Sequence, residues 1–430
     1  QPKELRKQGL ESLAKDFAII KESGGNLIGS YLSDSDTIFG QPWVYNNADR
    51  DFLKQMVSDI HKAGLQYRPY NGWGVNTNIP EFNTFGKEML KEPARNAGWG
   101  SYWMNPASTA WQDWWLGGAK DNATKLGFEG MYLDGTIMPE LTANELDNMG
   151  WRDAQGNLHG TYPVWQLRDF LERLYILLHS EVTTNGIVDV HDGREPQYYI
   201  DSFADTSTSG EYHLKRGKTV LEVFSPQEFA AYYATYLQGN PRRHIWANWM
   251  KLPITQAEMR GMQLLHDTLT PIGAGYVTKY GRDYGVNLGY ARDTVAWVRL
   301  RLLREHYADA QFEPYWDETK PALIDAAPKG LLASAWIDPK TKRAMIAVVN
   351  LSDKPWKGTL KFNLQRLGVS PDAPVRDAMF NIPLNAKASQ TLSVSIEEQR
   401  YRLFLINDDF PVGNAVKEDD TRKALPVVAP

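Results

Sequence analysis

Residues 127–136, "GFEGMYLDGT", set Phe128, Met131, Tyr132 and Leu133 in one short run that ends on Asp134 and a glycine. A buried strand reads this way, and one that stops on a carboxylate places it where the chain leaves the sheet. The flanks show what kind of sheet it is. Apolar spacing predicts helices over 108–126 before the run and 162–180 after it. The alternation extends outward: helix 4–22, strand "NLIGSYL" (26–32), helix 48–63, strand "LQYRPY" (65–70). On the other side come strand "GIVDVH" (186–191), a short strand within "FADTSTSGE" (203–211), helix 226–238 and strand "HIWANW" (244–249). Helix 256–269, strand "PIGAG" (271–275) and a helix near 292–307 close the series. Strands alternating with long helices make parallel βαβ units, and about 300 residues of them fit a (β/α)8 TIM-type barrel. Seven strands are readable and the chain opens on a helix, so the first barrel strand is expected upstream of Gln1 or on a segment whose pattern does not reveal it. "GMYLD" is then the fourth strand, "GIVDVH" the fifth and "ADTSTSGE" the sixth.

Past residue 308 the helical pattern stops. "GLLASAWID", "AMIAVVNLS", "GTLKFNL", "VRDAMFN", "TLSVSI" and "YRLFLI" are short runs separated by turn-rich pieces, the pattern of a small antiparallel β-sandwich. The expected organisation is a barrel over 1–308, a sandwich over 309–410 and a charged tail over 411–430.

Composition narrows the partners. Of 430 residues 42% are hydrophobic and 23% charged, with a formal charge of −5 and no basic block, which argues against a nucleic-acid partner. No apolar stretch is long enough to span a bilayer as a helix. The chain has no cysteine, which excludes thiolate metal sites and cysteine nucleophiles. It carries 15 Trp and 21 Tyr, side chains that offer a flat apolar face to a polyhydroxylated ligand.

In a β/α barrel the C-terminal strand ends and the loops after them build the site, which makes Asp134 a catalytic candidate; the bland reading is an Asp-Gly turn. Roughly 35 residues separate "LQYRPY" from its helix and 27 more, 135–161, follow Asp134. Connections of that length are lids or binding loops more often than passive links. Cleaving a glycosidic bond takes a second carboxyl group. Asp205 and Glu211 lie on the next-but-one strand, about 20 Å apart if extended, so they cannot share one mouth. Chain direction favours Glu211, with Asp205 as the alternative if the strand begins earlier. His191 and Asp192 stand at the rim of the intervening strand, suited to sugar hydroxyls. The eight histidines form no His-x-His pair and no H-E-x-x-H, and neither G-x-S-x-G nor a phosphate-binding loop occurs, so no metal or other cofactor is expected. Tyr70, Asn71 and Trp73 after one strand, Trp246, Asn248 and Trp249 at another, and Trp99, Trp103 and Asn105 in the long loop pair ring faces with amides, as a pyranose requires.

"HKAGLQYRPY", "GMYLDG" and the trailing sandwich resemble retaining glycoside hydrolases of the α-galactosidase-type clan. "GMYLDG", the "HDG" after the fifth strand and "FADTSTSGE" are similar to a group of bacterial glycoside-hydrolase-like barrels. The resemblance implies Asp134 as nucleophile and Glu211 as acid/base, although the clan commonly uses Asp in the second role. It implies a retaining glycosidase, with no cofactor, that acts on an α-linked sugar. The long loops lean toward exo cleavage. An oligosaccharide or similar glycoside is the expected partner, and a secreted or periplasmic location is favoured over a cytoplasmic one. A non-catalytic carbohydrate-binding barrel, or a barrel hydrolase for another substrate, is the alternative.

Overall fold

A computed structural model describes residues 9–22, 27–31, 47–72, 74–77, 79–98, 101–134, 141–183, 185–191, 201–209, 220–233, 242–244, 256–268, 300, 303–325, 328, 330–378 and 382–410. Among them, six strands form one all-parallel sheet in chain order: β1 (Leu27–Tyr31), β2 (Gln66–Gly72), β3 (Gly130–Asp134), β4 (Ile187–His191), β5 (Thr206–Ser209) and β6 (Arg242–His244). This is an arc of a β/α barrel. "PIGAG" lies outside the described residues. The seventh expected strand, "HIWANW", is corrected to begin at Arg242 and to be described only through His244.

Local chemistry explains the helices. Over Asn47–Lys62, Leu53, Met56, Val57 and Ile60 recur at three- and four-residue steps, and all four are buried. The helix Thr109–Leu126 starts where the Ser108 side chain accepts from the Trp111 amide at 3.0 Å. It stops at Gly127, whose φ of 85° closes the last turn through a 2.8 Å bond to the Ala123 carbonyl. Trp111, Trp115, Ala119, Ala123 and Leu126 form its buried face. Together with Met131, Leu133, Val188, Val190 and Tyr67 they make the core between helices and sheet.

Side chains alternate across a strand. Because Tyr67, Met131, Leu133, Val188 and Val190 face the helices, the intervening residues Arg68, Tyr70, Tyr132, Asp134, Asp189 and His191 face the barrel interior.

The C-terminal region holds a six-stranded antiparallel sheet, in the order β7 (Gln311–Glu313), β8 (Leu331–Asp338), β9 (Arg343–Asn350), β14 (Arg400–Ile406), β11 (Pro374–Asp377) and β12 (Ile382–Lys387). A two-stranded sheet of β10 (Trp356–Leu360) and β13 (Leu392–Ile396) packs against it. The expected sandwich gains strands β7 and β12. Pairing of Phe312 with Trp336 makes β7, just past the barrel boundary, the edge of the large sheet. The other face of the large sheet packs Trp336, Met345, Leu403 and Leu405 on Leu264 of the helix Gln256–Leu265 and on Leu303 and Tyr307.

Candidate active site

Parallel register fixes the site. Asp134 is level with Gly72 on one side and His191 on the other. His191 Nδ1 lies 2.8 Å from Asp134 Oδ1, and the Tyr70 hydroxyl donates to Asp134 Oδ2. Gly72 brings no side chain to that level. Burial pushes the Asp134 carboxyl up. The charge of His191 and the hydrogen bonds from His191 and Tyr70 together outweigh that and hold it below its ordinary value. Asp134 is therefore an ionised carboxylate at the mouth, partly open to solvent.

Under this layer lies another. Arg68 ion-pairs with the buried Asp189, and its guanidinium sits 4.9 Å from the Tyr132 ring centroid. Thr206 Oγ1 donates to Asp189 Oδ1 at 3.0 Å.

The two long connections carry structure of their own. The first holds the helix Phe82–Met89 and a three-stranded sheet of Val75–Asn76, Ser101–Tyr102 and Asn96–Gly98. The second holds a short hairpin of Trp151–Arg152 and Leu158–His159. Buried Asn144 locks them together: its amide donates to the Leu90 carbonyl at 2.7 Å and the Lys87 carbonyl at 3.0 Å, while its oxygen accepts from Leu146 N at 3.0 Å. Asn105 donates to Asp147 at 2.5 Å and to the Glu88 carbonyl at 3.3 Å. Burial and the neighbouring Glu88 carboxylate raise the Asp147 pKa against the Asn105 hydrogen bond.

The structure thus brings Tyr70, Asp134 and His191 together. Asn71 is placed on the helix-facing side of β2, level with Leu133, fully buried and with no hydrogen-bond partner for its amide among the described residues. Trp103 packs against the hydrophobic core of the barrel, with Lys91 Nζ and Arg95 Cζ 5.5 and 5.8 Å from its ring. Asn105, read as a sugar ligand, is committed to the joint between the loops. Asp205 accepts from the Val188 amide at 2.7 Å and lies 3.1 Å from His179, at the N-terminal end of β5 and away from the mouth. Trp73, Trp99, Asp192, Glu211, Trp246, Asn248 and Trp249 lie outside the described residues. Sequence reading missed Arg68, Tyr132, Asp189 and Thr206. Their signal was strand parity: each shares the face of Asp134 or His191.

No family model matches the sequence, and no curated protein matches it. Solved structures do. An α-amylase from Anoxybacillus is 12% identical, with 92% of this chain and 90% of that one covered at a TM-score of 0.57. A GH27 β-L-arabinopyranosidase from Geobacillus stearothermophilus, solved with arabinose, is 13% identical, with 95% and 94% covered at 0.54. A GH36 α-galactosidase from the same organism is 11% identical, with 92% and 53% covered at 0.54. The resemblance to the α-galactosidase type holds at the level of fold. The parallel arc that carries Asp134 at its mouth is built on a fold that these glycoside hydrolases share.

Proposed function

We propose that the chain is a retaining glycoside hydrolase with Asp134 as nucleophile. The observation that carries this is the pinned, ionised carboxylate at the C-terminal end of β3. A general acid needs a raised pKa so that it holds its proton, whereas a nucleophile needs the charged form; the depressed Asp134 suits the second role. We assign the acid/base to Glu211, three positions along the chain from Thr208, which is level with His191. Protonated Glu211 donates to the leaving oxygen as an Asp134 oxygen attacks the anomeric carbon. Glu211 then takes a proton from the water that hydrolyses the glycosyl-enzyme. The shared fold supports a carbohydrate substrate, and the arabinose in one fold neighbour agrees with it. The two loop segments joined through Asn144 and Asn105 favour a pocket and exo cleavage, and the resemblance favours an α-linked sugar.

A non-catalytic sugar-binding barrel is the second reading. It is favoured by the hydrogen bonds that engage both Asp134 oxygens. Hydrolysis of a panel of aryl α- and β-glycosides by the wild type, Asp134→Asn and Glu211→Gln separates the two. Turnover is expected in the wild type and lost in both variants, with azide yielding a glycosyl azide in Glu211→Gln. Undiminished turnover in Asp134→Asn contradicts the assignment, and sugar binding without any wild-type turnover establishes the binding barrel.

A further inference from the structure

The polar layer beneath Asp134 takes no part in the chemistry above. Arg68 pairs with Asp189, which is 0% exposed and also accepts from Thr206. Burying two opposite charges carries a desolvation cost that apolar residues of similar volume avoid, so stability alone does not account for the pair. The chain also makes room for it. Gly29 is level with Arg68 on β1. On the other side, a Cβ at position 130 would fall 2.6 Å from the Ile187 carbonyl oxygen and 3.3 Å from the Arg68 Cβ. Real Cβ atoms do not approach a carbonyl so closely, so glycine at 130 lets β2, β3 and β4 draw together around the arginine.

The guanidinium lies over Tyr132, and the Tyr132 ring packs against Tyr70 at 5.4 Å and His191 at 6.1 Å between centroids. Those two residues are the ones that hydrogen-bond Asp134. A cation over a ring face and an ion pair are both directional, whereas an apolar filling would hold Tyr132 by dispersion alone. We propose that Arg68 and Asp189 are positioning residues: acting through Tyr132, they fix the Tyr70 hydroxyl and the His191 ring on the Asp134 carboxylate. The proposal rests on the reading of Asp134 as nucleophile.

Removing one charge strands the other, so Arg68→Met alone is expected to misfold. The informative variant is Arg68→Met with Asp189→Leu, which replaces the pair by apolar volume. It should fold with a denaturation midpoint at or above that of the wild type. Its kcat should fall about 10- to 100-fold with KM nearly unchanged, the scale of effect that remote misplacement produces. Arg68→Lys, which keeps the charge without the planar guanidinium, should fall between. A readout independent of turnover is the 13C titration of the Asp134 carboxyl, with Asp134→Asn as the assignment blank; its midpoint should rise in the double variant. A double variant with wild-type kcat and an unmoved Asp134 midpoint overturns the proposal. If no glycoside is turned over by the wild type, the enzymatic reading fails, and the Asp134 titration alone decides whether the pair positions that carboxylate.

Discussion

At the scale of single residues, Asp134 is held ionised by His191 and Tyr70 against burial. Tyr70→Phe removes one hydrogen bond to a charged group, worth about 1.5–3 kcal/mol, so the acid limb of kcat/KM should move to higher pH. A pH profile of the variant checks this. The same depression has a stability consequence. A carboxyl whose folded pKa lies below its unfolded value stabilises the fold above the unfolded value, and that contribution is lost as pH falls through the folded one. Asp134→Asn should therefore be more destabilising at neutral pH than in acid below the ordinary carboxyl range, as denaturation in both conditions would show. Asp134, His191 and Tyr70 were legible because a polar residue ending an apolar strand stands out. Asn71 follows Tyr70 in the sequence, but strand alternation sends the two to opposite faces. Arg68 and Asp189 were overlooked for a related reason: both sit inside strands, where an isolated charge reads as noise until the neighbouring strands are aligned.

At the scale of elements, periodicity exposed the helices that pack one face on the sheet, such as Asn47–Lys62 and Thr109–Leu126. It could not expose the sheet of two- and three-residue strands in the first loop or the hairpin in the second. Segments that short hold no full period, and side-chain bonds such as those of Asn144 fix them. Asn144→Ala takes a hydrogen bond from three carbonyls and one amide, at a cost of about 1–3 kcal/mol. That loss should appear as faster proteolysis within 74–107 and 141–161, and as a KM raised more than kcat is lowered. Limited digestion and steady-state kinetics measure both.

At the scale of the whole molecule, the large C-terminal sheet is covered on both faces. That explains why β9, "RAMIAVVN", is buried almost throughout rather than alternating. The sequence predicts a sandwich that packs on the barrel, and the structure shows its outer face docked on the helix Gln256–Leu265; an apolar run does not say which element covers it. Trp336 sits at this junction: its indole donates to Asp267 Oδ1 at 2.9 Å, and Arg304 pairs with the same carboxylate at 2.7 Å. Trp336→Ala should cost about 3–5 kcal/mol and lower the denaturation midpoint of the whole protein. The proposed reaction turns on one bond, from Asp134 to the anomeric carbon. The most direct measurement is to incubate the intact protein with a 2-deoxy-2-fluoro glycosyl fluoride of a sugar it hydrolyses, then to find the labelled peptide by mass spectrometry. One added sugar is expected, on the Asp134 side chain and absent from Asp134→Asn; a label on another residue, or hydrolysis with inversion and no label at all, contradicts Asp134 as nucleophile.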